Sequence, residues 1–234
     1  MRKILEEPYC NECNNIVKTM FNKLLPDELE YINQKKTCGK YEKGMILYDE
    51  GSRINGFYCI CSGIIKVYKT GVEGKDQIIR FAKKGDIIGY RSVISGEPAC
   101  TTAKVLENAV ICFVYASDLY SLLRKNAEFG IEMLQLACTE LGEANNFITD
   151  VAQKSVRERL AEVLLSLRED FGLDDDNVLQ IHLTREELAN LIGTATESVI
   201  RLLSEFKNDQ LVGLQGRKIK ILDEARLKRI ANMM

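Results

Sequence analysis

Between Lys40 and Tyr115 the apolar positions come in short, often alternating runs: MILYDE, FYCICSGIIKVYKT, DQIIRFA, ACTTAKVLE and AVICFVYA. Glycines punctuate them at Gly44, Gly51, Gly56, Gly63, Gly71, Gly74, Gly85, Gly89 and Gly96. Short strands with glycine turns predict an antiparallel barrel or jelly roll. Glu73-Gly74 and Gly85-Asp86 read as tight turns. The period then changes. Leu134, Ala137, Leu141, Ala144, Ile148 and Val151 are spaced 3, 4, 3, 4, 3, which is a heptad seam on a long helix. Such a seam packs on its own domain or against a second copy of the chain. A further amphipathic helix is predicted over Ser155–Phe171, with Val156, Leu160, Val163, Leu164 and Leu167 on one face.

Residues 184–222 read TREELANLIGTATESVIRLLSEFKNDQLVGLQGRKIKIL. Counting from Arg185, the fifth position is Ala189, the ninth Gly193, the fifteenth Val199 and the eighteenth Leu202. A small residue lets two helices approach, a glycine takes the positive φ of a sharp turn, and the two apolar residues pack the second helix on the first. This predicts a helix-turn-helix, whose second helix fits the DNA major groove. Thr194 or Thr196 is expected to cap that helix, with Glu197 in its first turn. Downstream, Gly213 and Gly216 predict a hairpin bend. Lys218 and Lys220 alternate with Ile219 and Ile221, as in a basic wing.

The chain has 234 residues, enough for two domains, with 46% hydrophobic and 28% charged residues, ordinary for a soluble protein. The net charge of −2 decides nothing about DNA, since a binder needs only a local basic face. No apolar run is long enough to span a membrane, and MRKILEEPYCNEC is too acidic for a signal peptide. A cytoplasmic protein is expected. Its eight cysteines are then expected to be thiols or metal ligands before disulfides. Cys59 and Cys61 share one strand face and Cys138 lies in a helical stretch; core thiols are expected there. The acidic loop GLDDDN lacks the glycine and distal glutamate of an EF-hand. With one histidine, His182, and no P-loop, nucleophile elbow or metal-ligand helix motif, no enzyme is expected.

In its order of elements, and in EGSRINGFYCICSGIIKVYK, the Gly85–Gly89 step GDIIG, QKSVRERLAEVLLSL and LTREELANLIGTATESVIRLLSEF, the chain resembles the Crp/Fnr superfamily of bacterial transcription regulators. GYRS, SGEP and AQKSVRERLA are similar to its Bacteroidetes-type branch. The resemblance implies an α+β protein: an N-terminal cysteine-containing segment (1–20), a cyclic-nucleotide-binding-like β-roll or jelly roll that senses a signal (21–126), a long dimerisation helix (127–152) and a C-terminal winged helix-turn-helix domain (153–234). It implies a homodimer on double-stranded DNA, with RNA polymerase as a further partner. The seam residues named above are its dimer contact.

On the same resemblance Glu197 accepts from a cytosine and Arg201 contacts guanine, pairings that fit the major-groove code. The alternative is an i,i+4 salt bridge between them on a solvated face. Thr196 and Ile200 complete the base-reading set, and the operator is a palindrome with a TGA-like core. Thr184, Arg185, Lys218 and Lys220 are candidates for backbone contact. Cyclic AMP fits poorly. Tyr90 follows Gly89 where its binders carry Glu, and Ala99-Cys100 or Cys100-Thr101 stands at the Arg-Ser position. Another small ligand would sit near Tyr90, Arg91, Thr101 and Thr102. The Fnr branch suggests an oxygen-sensing iron–sulfur cluster instead. Cys10 and Cys13 form C-x-x-C and Cys112 matches the β-roll ligand, but the third N-terminal cysteine falls near Thr19, leaving Cys38 as substitute. Redox-reactive cysteines without a cluster are a second option, and a ligand-binding module using its helix-turn-helix for protein contacts is a third.

Overall fold

A computed structural model of the chain describes residues 20–232, and Cys10 and Cys13 lie outside them. The chain divides into two units, the first built on residues up to 71 and 78–141, the second on 72–77 and residues from Gly142 onward.

In the first unit, α1 (Pro26–Lys35) precedes β1 (Thr37–Tyr41), β2 (Ile46–Tyr48), β3 (Gly56–Thr70), β4 (Asp76–Ala82) and β5 (Ile87–Ile88). After α2 (Tyr90–Ser95) come β6 (Thr102–Tyr115), α3 (Ala116–Lys125) and the start of α4 (Ala127–Gln153). The six strands make one sheet in the order β1-β6-β3-β4, with β2 also on β6 and β5 on β3. The long pair β3 and β6 is antiparallel and both of its faces are apolar, because its alternate residues enter two cores. Phe57 and Val114 meet Ile32 of α1, Leu119 of α3 and Phe129 of α4 on one side. Ile60, Ile65 and Val67 meet Ala103, Val105 and Ile111 on the other.

The β3–β6 register shifts around Ser62, where Gly63 takes φ +85°. A β-carbon there would stand 2.5 Å from the Asn108 carbonyl oxygen, so both backbone angle and close approach require glycine. α1 starts at Pro26 with its entry amide bonded to Glu28, 2.9 Å. It is held to the roll by Tyr31, whose hydroxyl donates to Asp118 at 2.7 Å.

The second unit holds the end of α4, then α5 (Val156–Phe171), α6 (Arg185–Ile192), α7 (Thr196–Asn208), β7 (Val212–Gln215), β8 (Lys218–Ile221) and α8 (Glu224–Ile230). Reciprocal capping boxes start two helices, Ser155 with Glu158 on α5 and Thr184 with Glu187 on α6. Leu160, Leu164, Leu188, Ala189, Val199, Leu203 and Phe206 form its core, all at most 1% exposed. α6 ends at Gly193, φ +75°, whose N–H donates to the Ala189 carbonyl.

Two local expectations are corrected. Neither Thr194 nor Thr196 caps α7: its N-cap is Ala195, without a side-chain bond. Thr194 still donates its N–H to Ala189 as part of the preceding helix end, and Thr196 is already inside α7. Cys138, expected in a core, is exposed on α4. The reason is that α4 packs on the roll mainly through Phe129 and Met133, and little of the helix beyond them is covered.

Candidate nucleic-acid interface and sensor region

The amphipathic period of α7 sorts its residues cleanly. Val199, Leu202, Leu203 and Phe206 are buried, while Glu197, Ile200 and Arg201 face solvent and Thr196 is half-buried. Ile200 is 49% exposed, an apolar residue left on a polar face. The Arg201 side chain is 71% exposed, and its ion pair is with Glu205 at 3.5 Å, not with Glu197 as the alternative reading had it. A pair that loose and solvated holds Arg201 weakly. Glu197 and Arg201 thus stand one turn apart on an open helical face, an acceptor and a fork of donors.

The wing is β7 against β8, with Val212 opposite Ile221 and Gln215 opposite Lys218. Ile219 and Ile221 are buried; Lys218 is exposed and Lys220 half-exposed on the other side. Gly213 lies inside β7 opposite Lys220, and only Gly216 is in the bend. The bend also presents Arg217, exposed, which the alternation of lysines and isoleucines did not mark. Arg185 is half-buried, and its Nη2 donates to the Gly216 carbonyl at 2.9 Å, so it ties the start of α6 to the wing tip. Burial lowers its pKa from the ordinary arginine value. Thr184 is occupied as the α6 cap.

A second residue that sequence reasoning missed is Arg159. It is 9% exposed, and its guanidinium donates to the carbonyls of Ile192 (3.1 Å), Val151 (3.2 Å) and Lys154 (2.7 Å). Those are the ends of α6 and α4, where orphan carbonyls and the helix dipoles favour a cation. One buried arginine therefore joins the end of the long helix to the turn that sets the reading helix. In the sequence it looks like one more charge on an amphipathic helix.

On α4 the seam is bare. Leu134, Leu141, Ile148 and Val151 are 64%, 62%, 65% and 42% exposed, and Ala137 and Ala144 are exposed beside them. An aligned row of large apolar residues in water is costly.

The four residues expected near an effector have partners within the protein. Tyr90 is buried and its hydroxyl donates to Glu140 of α4 at 2.9 Å. Arg80 approaches the other Glu140 oxygen at 3.0 Å, an ion pair not aligned as a hydrogen bond. Burial, then the Glu140 carboxylate, pushes the Tyr90 phenol far up. Arg91 is exposed and pairs with Glu97 at 3.3 Å. Thr102 accepts from the Glu50 amide at 2.9 Å, and Thr101 bonds Tyr48, whose pKa is pushed up to about 12 chiefly by burial. Ala99, Cys100 and Thr101 supply no arginine where a cyclic phosphate would need one, so that position does not fit a cyclic nucleotide.

Two of the four expected cluster ligands are paired with each other. Cys38 and Cys112 face each other in the β1–β6 register and are joined as a disulfide, against the expectation of thiols. Bonded to each other, they are not thiolate ligands, and Cys10 and Cys13 are outside the described residues. Among the described residues no group of three or more His, Cys, Asp or Glu is arranged to hold a metal ion.

A cyclic nucleotide-binding domain model matches residues 39–126, and a Crp-like helix-turn-helix domain model matches residues 158–230. The fumarate and nitrate reduction regulatory protein of Vibrio cholerae is 26% identical over 230 residues, covering 96% of this chain and 91% of that protein. The protein of the same name from Escherichia coli K12 is also 26% identical, over 95% of this chain and 90% of its own. FixK2 from Bradyrhizobium japonicum superimposes with a TM-score of 0.75 at 23% identity, over 83% of this chain and 96% of its own. With both domain types in order, and with relatives aligned over nine-tenths or more of both chains, the chain belongs to the Crp/Fnr family and is a helix-turn-helix DNA-binding transcription regulator.

Proposed function

We propose that the chain works as a homodimer on a palindromic operator, with one α7 per half-site in successive major grooves. The observation that carries this is the bare heptad seam of α4: six positions in register, all exposed, need a partner with the same stripe. A two-fold dimer in turn needs half-sites about one helical turn apart.

Within each half-site, Arg201 donates to guanine and Glu197 accepts from a cytosine amino group, giving a TGA-like core. Thr196 and Ile200 contact the flanking bases, Ile200 through a thymine methyl. Lys218 and Lys220 meet phosphates, with Arg217 beside them at the wing tip. Arg185 and Thr184 act at the backbone chiefly by placing the wing and the α6 end. RNA polymerase is the further partner of a promoter-bound regulator. No helix among the described residues is long and apolar enough to cross a membrane, which agrees with a cytoplasmic site of action.

The test joins assembly to binding. Light scattering should give a dimer for the wild type and a monomer for the Leu141→Glu/Ile148→Glu double variant. Selection from a random duplex library should return inverted repeats for the wild type only. A wild-type monomer, or selected sites without two-fold symmetry, overturns the reading.

A further inference from the structure

The sulfur chemistry of the β-roll goes beyond DNA reading. The register aligns Cys38 of β1, Cys112 of β6 and Cys59 of β3 in one row across three neighbouring strands. At the irregularity next to that row, the Cys61 sulfur comes within 3.4 Å of the Cys112 sulfur. Cys61 and Cys112 are 8% and 2% exposed, whereas Cys38 is half-buried on an edge strand. Cys59, Cys61 and Cys112 line a cavity of about 30 Å³ together with Asp86 and the buried Lys36. That is room for a water or two, enough for a sulfur to move and too little for a nucleotide.

We propose that Cys38, Cys112 and Cys61 form a thiol–disulfide relay that takes oxidising equivalents from low-molecular-weight disulfides. Cys38 is the entry, because it alone of the three reaches the surface. Its thiolate attacks the external disulfide, forms a mixed disulfide and releases one thiol. The Cys112 thiolate attacks the Cys38 sulfur, the mixed bond breaks, and a second thiol leaves. This gives the Cys38–Cys112 bridge seen in the structure. The Cys61 thiolate then attacks the Cys112 sulfur. The Cys61–Cys112 bond forms, the Cys112–Cys38 bond breaks, and its electron pair leaves with Cys38, which takes up the proton lost by Cys61. The net reaction converts one external disulfide and two protein thiols into two external thiols and one protein disulfide.

The two bridges have different mechanical consequences. Cys38–Cys112 fastens edge strand β1, and α1 before it, to the sheet. Cys61–Cys112 links strands already paired along most of their length and leaves β1 without a covalent tie. The thiol state of the surroundings is thereby written into how firmly the N-terminal edge of the sensor is held.

The test treats the reduced full-length dimer with glutathione disulfide, quenches with N-ethylmaleimide at intervals, and maps disulfides by peptide mass spectrometry. The wild type should show Cys38–Cys112 first and Cys61–Cys112 later. Cys61→Ser should stop at Cys38–Cys112, and Cys59→Ser should behave as wild type. Cys38→Ser should form Cys61–Cys112 on the order of tenfold more slowly, having lost the accessible thiol. Thermal unfolding of each variant checks that it is folded. Absence of Cys61–Cys112 from the wild type, pairing of Cys112 with Cys10, Cys13 or Cys59 in its place, or wild-type oxidation of Cys38→Ser overturns the relay. Operator binding measured on the same samples is a separate readout, so the relay can fail while the DNA reading stands.

Discussion

The winged helix unit and the β-roll are built from opposite kinds of information. In the first, most functional positions follow from neighbours a few residues away: a capping box starts α5 and α6, Gly193 turns the chain, and the 3.6-residue period turns Glu197 and Arg201 outward. In the second, the positions that matter meet across strands, as Cys38 meets Cys112 from 74 residues away. Local devices can be read along a chain; a strand register cannot, because shifting it by one residue turns every side chain to the other face.

That contrast accounts for what was legible. The strand runs, the seam, the paired helices and the basic wing were all visible as periods in the sequence, since each is a repeat that one element imposes on its own residues. Cys59 and Cys61 could be placed on one strand face. Their shared row with Cys112 could not, nor could the disulfide beside them. The pairing of Arg91, on α2, with Glu97 was equally invisible. Arg159 escaped for the same reason: its partners lie at the ends of two other helices.

Two glycines give the largest predicted difference between the units. Gly63 and Gly216 both take positive φ, +85° and +58°. At Gly63 a β-carbon would meet the Asn108 oxygen and the Ala109 backbone within 2.6 Å; at Gly216 nothing lies within 4 Å. Gly63→Val should therefore destabilise the protein by about 3 kcal/mol or more, backbone strain adding to overpacking. Gly216→Ala should cost only about 1–2 kcal/mol, the strain alone. Urea unfolding of both variants measures the gap, and equal losses would break the contrast.

Arg159 is the exception within the winged helix unit, a long-range device in a locally built domain. Arg159→Ala leaves three carbonyls without their donor, each costing about 1–3 kcal/mol if water cannot replace it. A loss of about 3 kcal/mol in unfolding, with weakened operator binding, is expected. A loss within the range of an ordinary surface substitution would show that water takes over those carbonyls.

Binding variants should separate by role without changing stability. Arg201→Ala is expected to cost about 1–3 kcal/mol on the selected operator and to relax preference at one base pair. Lys218→Ala should weaken all duplexes alike and reduce the salt slope by about 1. Fluorescence anisotropy over a salt series distinguishes them; an Arg201→Ala loss equal on random DNA would move that residue from base reading to phosphate contact.

The smallest effect tests a local device through pH. The Glu158 carboxyl lies below its ordinary value of 4.5 because the Ser155 hydroxyl and backbone N–H donate to it across the α5 capping box. A carboxyl lowered by folding stabilises the native state above the unfolded value, and the contribution is lost as pH falls through the folded one. The wild type should thus lose melting temperature more steeply than Glu158→Gln as pH is lowered from above 4.5, while at neutral pH the variant is slightly the less stable. Parallel pH profiles would mean that the box closes as well with a neutral partner, and that its charge adds nothing to the start of the helix.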